Sequence, residues 1–160
     1  MGSRPCFIQS TIMKLLFNTL AICGSAMFAG VLLAIGVLLG GHWKRLSAGA
    51  FLDSFHAYLP LIPRAIGVVG VTAIVGLAGS VWLSWGAKEA RILWLLATAS
   101  LTVLLIFTSV WFGPTNAQFV ARSLPLEQVI AKRDLWLMLH TVRIALAALA
   151  SVLGFIATNR

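Results

Sequence analysis

The sequence predicts an all-α fold: an integral membrane four-helix bundle, with an additional short interfacial helix between the first and second spans. Two observations predict it. Of the 160 residues, 60% are hydrophobic and only 10% charged, whereas charged residues supply about a quarter of an ordinary soluble domain. Four apolar runs, at about 15–39, 65–87, 92–112 and 135–157, are each long enough to cross a hydrocarbon core, which takes roughly 20 helical residues. Backbone groups in lipid must be satisfied within the spanning structure, so a single four-helix domain over residues 1–160 is the natural architecture.

The opening MGSRPCFIQSTIMK has the positive character of a signal peptide's first region. The apolar run behind it is 25 residues, too long for a signal core, and no small-x-small cleavage site precedes a polar chain. It reads as a retained first helix. In the connection 40–64, Phe51, Leu52, Phe55, Tyr58, Leu59 and Ile62 fall at helical spacing. They predict the interfacial helix, broken near Pro60 and Pro63. The short link 88–91 forces the second and third spans into an antiparallel hairpin. Gly113-Pro114 reads as the stop of the third helix, and Asp134 as the N-cap of the fourth.

Charge and aromatic placement fit a bilayer. The net charge of +8 is explained by Lys and Arg at helix ends, which orient the chain and meet anionic head groups, so nucleic acid is not expected as a partner. Arg4, Lys14, Lys88, Arg91 and Arg160 fall on the side of the termini, and Lys44, Arg45, Arg64, Arg122, Lys132 and Arg133 on the long-loop side. The counts are too close to orient the chain. Trp82, Trp85 and Trp94 are expected at the short-link interface, and Trp43, Trp111 and Trp136 at the other, as two aromatic belts. Gly24, Ala29, Gly30, Gly36, Gly67, Gly70, Gly76 and Gly79 are expected to let backbones approach, with Gly36 and Gly40 in a small-xxx-small pair. Cys6 and Cys23 lie several helical turns apart and read as small apolar side chains rather than a disulfide or a zinc site.

Polar residues are placed unevenly. Asp53, His56, Arg64, Thr115, Asn116, Arg122, Glu127 and Asp134 all belong to the long loops or the adjoining span ends. The fourth span opens LWLMLHTVRIA and carries His140 and Arg143 from that same side. From an N-cap at Asp134 they would lie about 9 Å and about 13 Å along the helix. A charge at that depth costs at least ~2.5–3.5 kcal/mol, so Arg143 should face the bundle and find a partner. Trp136, His140 and Arg143 fall at i, i+4 and i+7, and the stripe continues through Ala147, Ser151 and Gly154, all small. An aromatic, an imidazole and a guanidinium would line one wall of a cavity. The plainer alternative is structural: Arg143 snorkels or pairs with Asp53 or Asp134, and His140 bonds a neighbouring helix. Asp53 and His56, three apart, either contact head groups or cover the mouth of the bundle.

The four-span layout, Pro114-Thr115-Asn116 after the third span, and Trp136, Leu139-His140 and Arg143 in the fourth together resemble the anthrone oxygenase-like family of small membrane proteins. The first half departs from the pattern, with Gly40-Gly41 where a proline would follow the first span. The resemblance implies oxidation of an anthrone-like, hydrophobic aromatic molecule by molecular oxygen as co-substrate, with no metal or organic cofactor. Such chemistry needs a base, an anion stabiliser and a flat apolar pocket. His140 is the candidate base and Arg143 the candidate stabiliser of the developing oxyanion. Trp136 is placed to stack on a ring and Asn116 to bond a carbonyl or hydroxyl, with Thr115, His56 and Asp53 as further substrate-binding candidates.

Two other classes stand beside this one. A haem or metal redox protein would use His140 with His56 or His42 as ligands, although no Cys-x-x-Cys-His and no Glu-x-x-His pair occurs. A non-catalytic scaffold, homo-oligomer or subunit of a larger membrane complex would use the apolar belt for docking. A proton-coupled transporter is disfavoured by spans without carboxylates. Gly-x-Gly-x-x-Gly, Gly-Lys-Ser phosphate loops and Gly-x-Ser-x-Gly elbows are absent. A multi-pass protein of a bacterial inner membrane is the expected setting.

Overall fold

The structure is a computed structural model that describes residues 4–160, with side-chain surroundings from residue 9 onward. Among the described residues every regular element is helical: α1 (Arg4–Ala34), α2 (Gly40–Trp43), α3 (Ala48–Tyr58), α4 (Ile62–Leu83), α5 (Lys88–Phe107), α6 (Gly113–Ala121) and α7 (Leu126–Ala157). A π-turn, Ile35–Leu39, joins α1 to α2, and a second, Thr108–Phe112, joins α5 to α6; a 3₁₀ turn, Leu59–Leu61, joins α3 to α4. Four continuous helical stretches result, Gln9–Trp43, Ala48–Leu83, Lys88–Ala121 and Leu126–Ala157, each long and apolar enough to cross a membrane. The chain is an all-α, four-helix, multi-pass membrane bundle.

The first span is central. It packs along α4 on one side and α7 on the other, and α5 completes the bundle against α7, while α4 and α5 touch sparingly beyond their short link. The tight contacts are made where a side chain would not fit. A Cβ at Gly24 would lie 2.6 Å from the Ala73 backbone nitrogen, one at Gly76 would overlap the backbone of Ala21, and one at Gly79 would overlap the ring of Phe17. Close approach lets dispersion between backbones replace the hydrophobic driving force that lipid does not supply. Gly30, Gly67 and Gly70, expected in the same role, face open space. Ser100 donates to the Leu146 carbonyl at 2.9 Å and Ser151 to the Ile22 carbonyl at 3.1 Å, stitching α7 to its neighbours.

Element boundaries depart from the expectation at three places. Helical turns continue through Gly113-Pro114 rather than stopping there. A proline lacks the N–H that an α-turn would use and crowds the preceding turn, and here the wider π-turn Thr108–Phe112 comes immediately before it, with the Gly113 N–H reaching back to Thr108. Asp134 is not an N-cap: α7 begins two turns earlier, after Pro125, and Asp134 lies inside it, bonded to its neighbour Arg133 at 3.0 Å. The link between the second and third spans is the turn that closes at Ala87, not 88–91, and Arg91 donates from α5 to the Trp85 carbonyl at 2.9 Å.

The tryptophan belts are also revised. Trp82 and Trp85 are exposed and Trp111 half-buried, as a belt requires, but Trp43, Trp94 and Trp136 are inside the protein. Trp94 packs against Gly154, where no side chain intervenes. Cys23 is a free, exposed thiol; the side chain of Cys6 lies outside the described residues.

Candidate functional site

The long-loop end of the bundle is closed by aromatic rings. Helix α3 lays Phe51, Leu52 and Phe55 inward, because its apolar residues share one face, and α6 adds Phe119 from the opposite side. Phe119 meets Phe51 and Phe55 edge-on, both at 5.1 Å between centroids. Trp43, which is fully buried, sits under them and donates from Nε1 to Ser54 at 3.0 Å. The predicted interfacial helix therefore exists, but its apolar face packs on protein rather than on lipid.

Beneath this cap lies a cavity of about 220 Å³, with walls from all four spans: Phe28 and Ile35; Leu59, Ile62, Pro63 and Ile66; Leu105, Thr108 and Asn116; and Trp136, His140 and Arg143. The stripe along the fourth span is real, and it extends in both directions, with Val129, Arg133, Trp136, His140, Arg143, Ala147, Ala150, Gly154 and Ala157 all buried. Three departures from α geometry, the two π-turns and the 3₁₀ turn, lie beside the cavity. Each contributes a cavity wall residue, namely Ile35, Thr108 and Leu59. Such irregular turns recur at functional sites, and here they aim side chains that a straight helix would place elsewhere.

His140 is 1% exposed. Its ring stacks on Trp136, with centroids 4.9 Å apart and planes 10° apart. Its Nε2 lies 2.8 Å from the Leu32 carbonyl oxygen. A carbonyl only accepts, so Nε2 carries the proton and, in the neutral ring, Nδ1 bears a lone pair. That Nδ1 is buried without a partner. Gly36 makes the arrangement possible, because a Cβ there would lie 3.1 Å from Cδ2 of the imidazole. Trp136 is held in turn by Nε1 donating to Oδ1 of Asn116 at 2.9 Å.

Arg143 is 5% exposed, with its guanidinium 4.3 Å from the Phe112 ring centroid and its Nε buried without a partner. It is buried rather than snorkelling, and among the described residues it pairs with no carboxylate. Asp53 is bonded to Arg122 at the surface, and Asp134 to Arg133. With α7 starting at Leu126, Arg143 is about 25 Å along the helix, farther from its start than an N-cap at Asp134 implied.

The expected site residues thus divide. Trp136, His140, Arg143 and Asn116 come together. Thr115 is buried beside them on α6 but does not line the cavity. Asp53 and His56 are exposed on the outer face of α3 and stay apart from it. His42 is likewise exposed and does not line the cavity. Among the described residues no three His, Cys, Asp or Glu side chains gather as metal ligands do.

Sequence reasoning missed Arg133. Its guanidinium is buried and Nη1 donates to the carbonyls of Trp43 and Leu46 at 2.9 and 3.0 Å, capping the end of the first span. Its place at i−3 from Trp136 on the same stripe was the available signal. Phe112 was missed as well; it faces Trp136 at 5.3 Å and carries the cation of Arg143.

Compared with models of known protein families, with curated proteins and with solved structures, the chain matches none.

Proposed function

We propose that the protein is a membrane-embedded oxidase, resembling anthrone oxygenases, that oxidises a hydrophobic aromatic substrate with molecular oxygen and without a metal or organic cofactor, in a bacterial inner membrane. One observation carries this reading. Two buried polar atoms without partners, Nδ1 of His140 and Nε of Arg143, belong to residues that wall the same apolar cavity. Buried polar groups are nearly always satisfied, and those that are not mark a ligand's place or a catalytic role. An acceptor and a donor one helical turn apart ask for a ligand that offers the complementary pair.

The chemistry follows from those two groups. Nδ1 takes a proton from the activated methylene of an anthrone-like ring, leaving an electron-rich anion whose charge gathers on the ketone oxygen. Arg143 stabilises that oxygen in a water-poor setting, where a fixed cation is worth most. The anion reduces oxygen, the carbon–oxygen bond forms, and the resulting peroxide takes the proton back from the imidazole. Loss of water then leaves the new carbonyl. Carbon is oxidised from CH₂ to C=O, and one oxygen atom ends in the product and the other in water. Trp136 supplies an aromatic wall, and Phe112 holds the guanidinium of Arg143 from behind.

The cavity of about 220 Å³ exceeds the ~150 Å³ that holds a benzene ring and is smaller than the ~300 Å³ or more usual for larger ligands. One or two rings fit within it, and a third extends through its rim. The test is oxygen consumption by the purified protein given a hydroxylated anthrone, with His140→Ala run in parallel. Oxidation well above the spontaneous rate, lost in the variant, supports the reading. Equal rates with and without protein would move the weight to a scaffold role, with the stripe as packing. A Soret band or stoichiometric metal in the purified protein would instead favour the redox-cofactor class.

A further inference from the structure

The wall residues of the cavity that reach the surface most lie on its α4 and α5 side, where the surrounding surface is apolar. Its walls from the first and fourth spans, Phe28, Ile35, Trp136, His140 and Arg143, are all buried. Only the walls from the second and third spans reach the surface: Pro63 is exposed, Leu105 is 37% exposed, and Ile62, Ile66 and Thr108 are half-buried. Helices α4 and α5 pack against each other far more sparsely than α1 does against α4 or α5 against α7. The surface around them is apolar, with Val68 73%, Val103 53% and Ile106 57% exposed. Toward the long loops the way is blocked, since Phe51, Phe55 and Phe119 are each 1% exposed and the Asp53–Arg122 ion pair ties α3 to the end of α6. Ile35 and Ile62 also line a neighbouring apolar groove between the first and second spans, which likewise opens on the apolar surface.

From this geometry we infer that ligands reach the cavity sideways from the bilayer, between α4 and α5 past Ile66 and Leu105, and that the site selects lipid-dissolved molecules over water-dissolved ones. The inference concerns access, and holds whatever reaction follows. A charged or strongly hydrated molecule would have to cross hydrocarbon to arrive, whereas an apolar ring is already concentrated there.

The test needs no turnover. Protein in phosphatidylcholine vesicles is mixed in stopped flow with nitrobenzene, a quencher that partitions into the bilayer, or with nitrobenzenesulfonate, which stays in water. The signal is the part of tryptophan quenching that disappears in Trp136→Phe. Nitrobenzene should quench Trp136 and the sulfonate should not. The double variant Ile66→Phe/Leu105→Phe should slow the onset roughly tenfold, the size of effect expected when a barrier must be crossed before binding, and Ile66→Ala/Leu105→Ala should hasten it. Arg122→Gln, which loosens the cap, should leave it unchanged. Equal quenching by the sulfonate, faster onset in Arg122→Gln, or rates indifferent to both double variants would each overturn the lateral route. Failure of anthrone oxidation alone would leave these outcomes untouched.

Discussion

His140 lies flat on Trp136, with ring planes 10° apart and centroids 4.9 Å apart, and each ring is held at its far edge by a different span. Leu32 of the first span accepts from the imidazole, and Asn116 of the third accepts from the indole. The stacked pair therefore joins three spans at the cavity wall. Its orientation is set by hydrogen bonds rather than by packing alone, as a site that must hold one geometry requires.

Removing the indole–amide bond tests that coupling. Trp136→Phe keeps most of the stacking but leaves Oδ1 of Asn116 without its donor, and should cost about 1–2 kcal/mol. Asn116→Leu in the Trp136→Phe background should recover part of the loss. A double-mutant cycle by reversible unfolding in detergent measures the interaction, and additive effects would show that the bond is not made.

The guanidinium of Arg143 should be replaceable only in part. Arg143→Lys keeps the charge but loses the planar contact with Phe112 and the Nε donor. The variant should remain folded and lose oxidation rate by at least about tenfold, a transition-state loss of about 1.4 kcal/mol. Unchanged turnover in Arg143→Lys would remove Arg143 as the oxyanion partner.

Arg133 should prove structural. Arg133→Met removes the side-chain donor that the carbonyls of Trp43, buried, and Leu46, part-buried, share and should destabilise the bundle by about 1–3 kcal/mol. Ligand quenching of Trp136 should persist under conditions where the variant is folded. Thermal unfolding followed by circular dichroism reads the first effect, and an unshifted midpoint would contradict it.

Gly76 is where α1 and α4 meet most closely. Gly76→Val places side-chain atoms on the backbone of Ala21 and should force the first and second spans apart, at a cost of several kcal/mol. Gly70→Val, on open surface, should be tolerated. Equal stability of the two variants would deny the close crossing.

The sequence by itself determined the four spans, the helix α3 before the second of them and the buried stripe of Trp136, His140 and Arg143. Each follows from local composition: a long apolar run has no other stable home than lipid, and a polar residue in that run must turn inward. Periodicity alone sets which residues share a face, so Ala147 and Gly154 joined the stripe before any partner was known.

Only the tertiary structure decided what each of those residues meets. Whether Trp43 and Trp94 lie in a belt or a core depends on which neighbour covers them, and no local pattern states that. Pro114 looks like a terminator when only its own ring and missing N–H are considered, yet the π-turn before it carries the helix on. Asp53, one of the two candidate partners for Arg143, is bonded to Arg122, which is 69 residues away in sequence. Pairings at that separation are set by how the spans pack, and so the orphaned atoms of His140 and Arg143, and the apolar side of the cavity at Ile66 and Leu105, became visible only once the four helices were in place.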